Sequence, residues 1–177
     1  MTTVGFIGAG LMGYGPARHI LEAGYPLFVL GHHNREPIED LVRRGARESA
    51  TPAELAGVAD VVITCLPSSA VLEAVVLGER GLVGAARTGQ VLIDMTTADP
   101  RSTRRLADAL AEEGVRMIDA PMTRTPREAR EGRLNLLLGG TDADIDEVEP
   151  ILATFSENRF RTGALGTAHT IKLINNF

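Results

Sequence analysis

The chain is expected to fold as an α/β protein, a doubly wound and mostly parallel sheet with helices on both faces. Three observations carry that expectation. Short apolar runs alternate with amphipathic stretches along the whole length. Several of those runs are apolar without a break, as strands covered on both faces must be. Marked helix starts recur between them with short connections, which closes right-handed strand–helix–strand units.

Strands are expected at Val4–Ile7, Leu27–Leu30, Val61–Leu66, Val91–Met95, Val115–Asp119 and Leu134–Leu138. Thr51-Pro52-Ala53-Glu54 opens a helix with an N-cap, a proline at the first helical position and a glutamate placed for a capping box. Asp99-Pro100 opens the next, and Gly114 closes it as a residue that tolerates left-handed backbone. Thr141 with Asp144 opens a third. There is no internal repeat, low-complexity tract or linker. Residues 1–163 read as one domain, and 164–177 as the first turns of a further helix, where Lys172, Asn175 and Asn176 cluster near the C-terminus.

A length of 177 residues is enough to bury a core without disulfides or metals, and with 4% aromatics and no Trp that core must be aliphatic. The formal charge of −5 argues against general nucleic-acid binding, which shows as a basic stripe. The single cysteine, Cys65, sits in the apolar run V-V-I-T-C-L and reads as a buried, unreactive strand residue. No apolar run approaches the roughly 18 residues that span a bilayer. The opening M-T-T-V-G-F-I-G lacks the basic region of a signal peptide, so a soluble cytoplasmic protein without membrane contact is expected.

Gly8-Ala9-Gly10-Leu11-Met12-Gly13 follows a strand and precedes a helix, the context that makes G-x-G-x-x-G a dinucleotide-binding fingerprint. Gly8 serves the tight turn, Gly10 the approach of a pyrophosphate and Gly13 the packing of helix on strand. The fold is therefore expected to be Rossmann-type, with NAD(P) as cofactor. Pro16 lies several residues into the helix and implies either a kink or a late start. The carboxylate expected about 20 residues on, to hold the adenosine ribose, is absent. After Leu30 the chain reads Gly31, His32, His33, Asn34, Arg35, and the first acid is Glu36. A carboxylate would repel a 2′-phosphate and these residues would accept one, so NADP(H) is slightly favoured over NAD(H). His32 and His33 lack the further ligands a metal site would need, and no metal is expected.

Six motifs now stand in one order: G-F-I-G-A-G-L-M-G, T-C-L-P, D-M-T-T, D-A-P-M-T, E-G-R-L-N-L-L-L-G-G and K-L-I-N-N. In this the chain resembles the β-hydroxyacid dehydrogenases, the family of 3-hydroxyisobutyrate dehydrogenase and tartronate semialdehyde reductase, over essentially its whole length. The resemblance implies a 3-hydroxyacid dehydrogenase or semialdehyde reductase acting on a small anionic substrate. It also implies a second, all-helical domain after a long connecting helix, absent from these residues, and a homo-oligomeric full-length form. Lys172 matches the family's catalytic lysine, which also makes chemical sense as a proton donor to a developing alkoxide. Asn176, one turn on, is implied to hold substrate and lysine. Leu66, Pro67 and Thr97 match contacts along the cofactor, and Val71 is either another contact or plain core.

Thr123 falls where the family has a serine that touches substrate. The two glycines that usually follow are replaced by Arg124 and Thr125. Arg124 could offer a fork to a carboxylate, sulfonate or phosphate, or else pair with a nearby acid. Sulfolactaldehyde reductases of the family are similar in having Arg-Thr here, which leaves that substrate open. His169, one turn before Lys172, reads as a surface histidine. The competing reading is a non-catalytic NAD(P)-binding module or an inactive fragment, with Ile171, Leu173, Ile174 and Phe177 as exposed apolar surface. Imine reduction on the same plan is disfavoured, because those relatives usually lack the lysine.

Overall fold

A computed structural model of the chain describes residues 1–176. In chain order the elements are β1 (Val4–Ile7), α1 (Tyr14–Glu22), β2 (Leu27–Leu30), α2 (Glu36–Arg43), β3 (Arg47–Ser49), α3 (Pro52–Val58), β4 (Val61–Thr64) and α4 (Ser69–Leu77). They continue with β5 (Val91–Asp94), α5 (Pro100–Glu112), β6 (Arg116–Asp119), β7 (Met122–Thr123), α6 (Pro126–Glu131), β8 (Leu134–Gly139), α7 (Asp142–Leu152), β9 (Ser156–Gly163) and α8 (Thr167–Asn175). The nine strands form one sheet in the order β3-β2-β1-β4-β5-β6-β8-β7, with β9 pairing to β8. The first six strands pair in parallel, β8 runs antiparallel to β6 and β7, and β9 is parallel to β8. Strand order reverses between β1 and β4, and in such sheets the crevice for ligands lies at the carboxyl ends there.

The unbroken apolar runs are explained by two covered faces. Phe6, Val29, Ile63 and Ile93 pack with Ala17, Ile20, Ile38 and Leu41 on one side. Their strand neighbours Ile7, Val62 and Leu92 pack with Leu55, Leu72, Val76, Leu106 and Leu110 on the other. Successive side chains point to opposite faces, so apolar residues are needed at both sets of alternating positions of such a strand.

The expected helix starts are present. Thr51 accepts from the Glu54 amide at 3.1 Å, and the Glu54 carboxylate reaches back to the Ala50 amide at 2.7 Å. Asp99 and Thr141 cap α5 and α7, and Gly114 takes φ 71° just past α5. The three strands without an apolar run, β3, β7 and β9, lie outside the six expected from sequence. Pro16 is resolved as a late start: Gly13 is the N-cap, so the proline sits in the first turn of α1, where an amide has no intrahelical acceptor to lose. No described helix is long and apolar enough to cross a membrane.

A first-turn proline removes no hydrogen bond. Pro16→Ala is therefore expected to leave unfolding free energy within about 1 kcal/mol of wild type in urea titrations; a kinked interior proline would instead give a gain of about 3 kcal/mol.

Candidate active site

The glycine loop has the three geometries its spacing requires. Gly8 has φ +100°, and a Cβ there would collide with the Cys65 carbonyl. A Cβ on Gly13 would collide with the Gly8 carbonyl and crowd the Phe6 ring. Gly10 is exposed and has nothing within 4 Å of its Cβ position, which leaves room for a ligand against the backbone. The first turn of α1 has no side-chain cap and no acid; its Tyr14 amide is taken by the Gly10 carbonyl at 3.0 Å, and Pro16 brings no amide hydrogen. This cradle fits a pyrophosphate.

Beside it lies a cavity of about 480 Å³ lined by Gly8, Ala9, Gly10, Gly31, His32, His33, Asn34, Leu66, Pro67, Val71 and Val75. The structure thus brings most of the expected cofactor residues around one space. Val71 is 39% exposed on its wall rather than core, and Val75, not singled out from sequence, joins it. Leu11 lines a neighbouring groove with Gly10 and Asn34. Met12 is half-buried against the core and Thr97 is exposed beyond β5. Arg35 is not on the cavity wall but lies against Gly31, held in a two-pronged pair with Glu48 of β3 at 2.6 and 2.8 Å. Cys65 lies one residue past β4, not within it, and its burial pushes the thiol up to about 12, with Asp94 contributing. The residue is half-buried rather than buried, and it lines the same cavity.

At the next strand ends two aspartates are fully buried. Asp119 closes β6 and accepts from the Gly166 amide at 2.7 Å and the His169 amide at 2.8 Å. Gly166, the N-cap of α8, has no side chain to cap with. Asp119 supplies the missing cap from the sheet. Asp94 closes β5 and accepts at one oxygen from Thr64 Oγ1 at 2.8 Å and the Thr96 amide at 3.0 Å. Its other oxygen lies 3.6 Å from His169 Nε2, and both atoms lack a hydrogen-bond partner. His169 Nδ1 meets Thr103 Oγ1 at 2.7 Å.

The expectation of a surface histidine is therefore corrected: His169 is 0% exposed. Its position at the third residue of α8 turns it inward, towards two carboxylates contributed by distant strands. Leu173 is likewise half-buried rather than exposed, while Ile171 and Ile174 are exposed; Phe177 lies outside the described residues. Lys172 follows His169 by one turn and is half-buried, with no ion pair among the described residues. Asn175 and Asn176 are exposed, and Asn176 is the C-cap of α8.

The chain beyond Asp119 leads within four residues to Thr123, which pairs with Asn135 across β7 and β8. Arg124 takes φ 81°, the one non-glycine residue with positive φ among those described. Its Nη1 donates to the Arg133 carbonyl at 2.5 Å and to the Glu157 carboxylate. Nε and Nη2 make no hydrogen bond among the described residues. Thr125 is the N-cap of α6 in a complete capping box with Glu128. Its hydroxyl is committed to Glu128 and the Arg127 amide. The expected substrate-binding threonine thus has a structural task.

Residues 3–163 match the family described as the NAD binding domain of 6-phosphogluconate dehydrogenase. The chain belongs to that family. Within it, the chain is 36% identical to 3-sulfolactaldehyde reductase from Escherichia coli (strain K12) over 177 residues, which is 100% of this chain and 59% of that enzyme. It is 34% identical to mitochondrial 3-hydroxyisobutyrate dehydrogenase from Mus musculus, covering 99% of this chain and 52% of the relative. The structure of 3-hydroxyisobutyrate dehydrogenase from Mycobacterium tuberculosis with L-serine superposes with a TM-score of 0.91 at 25% identity, over 99% of this chain and 59% of that one. The chain thus spans between half and three fifths of these relatives. The Rossmann-type sheet and its NAD(P) cradle are those of the 6-phosphogluconate dehydrogenase-type domain.

Burial pushes the Asp94 carboxyl above its ordinary range, offset in part by the His169 ring and the Thr96 and Thr64 hydrogen bonds. A folded chain that holds this proton more tightly than the unfolded one loses stability as pH rises from the ordinary carboxylate range through the raised value. Asn at position 94 cannot ionise. The melting temperature of Asp94→Asn relative to wild type is expected to rise as pH increases above the ordinary carboxylate range; a gap independent of pH would show that Asp94 does not titrate with folding.

Proposed function

We propose that the chain is the cofactor-binding half of an NAD(P)-dependent 3-hydroxyacid dehydrogenase or semialdehyde reductase. A small anionic hydroxyacid, or its aldehyde or keto form, is the substrate, and NADP(H) is slightly favoured. The enzyme would be cytoplasmic and homo-oligomeric. The observation that carries this reading is the capping of α8 by Asp119. It fixes the first turn of the helix that holds Lys172 at the carboxyl edge of the sheet, the edge on which the glycine cradle opens.

A bound nicotinamide dinucleotide supplies or takes the hydride. The chain's own residues handle the rest. The Lys172 ammonium gives its proton to the substrate oxygen during reduction and takes it back during oxidation, and its charge stabilises the alkoxide in between. Thr123 donates its hydroxyl to the substrate. Arg124 is held by Glu157 and the Arg133 carbonyl through one nitrogen, so the Nε–Nη2 edge is free to grip a carboxylate or sulfonate with two parallel bonds. Asn176 shares a helix face with Lys172 and would orient it. Thr125 acts on the substrate loop as the cap of α6.

In the longest chain that the coding sequence specifies, Lys172→Ala is expected to lower turnover by roughly 10²–10⁴-fold while leaving dinucleotide affinity within about twofold. Unchanged turnover would refute the lysine's role. Binding without turnover in the wild type would favour the alternative, a non-catalytic dinucleotide-binding module. Arg124→Ala is expected to raise KM for an anionic substrate about 10–100-fold with a smaller effect on kcat, as loss of a charge-assisted contact does; an unchanged KM would show that the guanidinium does not meet the substrate.

A further inference from the structure

Gly31 is the first residue past β2, where dinucleotide-binding units place the side chain that contacts the adenosine ribose. A Cβ at this position would collide with Arg35 Nη1 and Glu48 Oε1. The volume of the missing side chain is thus filled by an ion pair built from two other elements. Arg35 is the N-cap of α2, and Glu48 lies on β3 opposite Val29, which puts it on the sheet face shared by Val29 and Gly31. Both arms of the guanidinium engage both carboxylate oxygens, at 2.6 and 2.8 Å. The pair is 47% and 34% exposed, so each member can be reached from solvent. Glu36, the first acid after the strand in sequence, is placed differently, beside the groove of Gly10, Pro37 and Asp40.

Resting on the assignment of this cleft to NAD(P), we propose that the Arg35–Glu48 pair sets the discrimination between NADP(H) and NAD(H). Glu48 is its restraining half. A 2′-phosphate is attracted by Arg35 but must draw the guanidinium from Glu48 and sit near a carboxylate. A 2′-hydroxyl has no such conflict and can donate to Glu48. The pair therefore holds down the NADP(H) preference that Arg35 alone would give, and leaves NAD(H) admissible.

The test is direct titration of the chain with NADPH and NADH. Glu48→Gln is expected to shift the NADPH/NADH affinity ratio at least about threefold towards NADPH, through tighter NADPH binding, because Arg35 is released. Arg35→Ala is expected to lower NADPH affinity about tenfold and NADH affinity little, and to abolish the response to Glu48→Gln in the double variant. A ratio moved less than threefold by Glu48→Gln overturns the proposal. So does an equal shift in the Arg35→Ala background, which would mean that Glu48 acts by general repulsion. Should Glu48→Gln lose its cooperative melting transition, Glu48→Ala is read in its place. A wild type that prefers NADH refutes only the stated cofactor preference, and the variants still decide the role of the pair. A wild type that binds neither dinucleotide refutes the site and the proposal together.

Discussion

A carboxylate buried at the edge of a sheet, away from water, survives only where donors are turned towards it. Asp119 meets that condition with two backbone amides of α8, and α8 meets its own need for a cap by the same bonds. Neither group is satisfied without the other. The end of β6 therefore dictates where α8 begins and how it is rotated, and so where Lys172 lies one turn later. Asp94 repeats the device from β5 with Thr64 and the Thr96 amide, and its second oxygen faces the buried His169 ring. One close contact is left open there: two polar atoms 3.6 Å apart with no other partner. Buried polar networks of this kind fix a geometry more than they add stability.

The loop of Arg124 and the glycine loop are joined by α6. Its last turn packs against the first turn of α1, where a Cβ on Gly15 would collide with the Ala129 carbonyl. The next carbonyl, of Arg130, accepts from Arg18 at 2.7 Å and contacts His19 Nε2 at 2.9 Å. The helix that follows the glycine loop is thus held against the helix that follows Arg124. Gly15 lies outside the G-x-G-x-x-G fingerprint, yet it is required for this approach.

Much of this could be read from residues alone because both faces of the central strands are covered, and β1, β2, β4, β5, β6 and β8 therefore announce themselves as apolar runs. Edge strands carry no such signal. In β9, Arg159 pairs with Glu149, and Arg161 with Asp142 and Asp146. Such charges protect an edge and hide a strand in the hydropathy pattern. The α6 start was legible in principle, since Thr125-Pro126-Arg127-Glu128 repeats the pattern of Thr51-Pro52-Ala53-Glu54. The resemblance to a substrate motif drew Thr125 elsewhere. His169 and Glu48 were not legible: one is buried by aspartates 50 and 75 residues upstream in the chain, the other meets Arg35 only because β3 pairs with β2.

Arg124 shows what a side chain at a glycine-like turn demands. Left-handed backbone costs a non-glycine residue roughly 1–2 kcal/mol, and the chain keeps that conformation at φ 81°. Strain of this sort persists where surrounding contacts over-determine it, and it gathers at functional sites. Here the contacts are the Arg133 carbonyl and Glu157 on one nitrogen of the side chain, with the α6 capping box immediately after. A glycine would offer only its amide to a ligand, in a fixed direction. The arginine keeps the glycine-like turn and adds a guanidinium whose orientation is set by the Arg133 carbonyl and Glu157. In the proposed role, less rotamer freedom would remain to be lost on binding, and selectivity would rest on the charge and planarity of the anion more than on backbone shape.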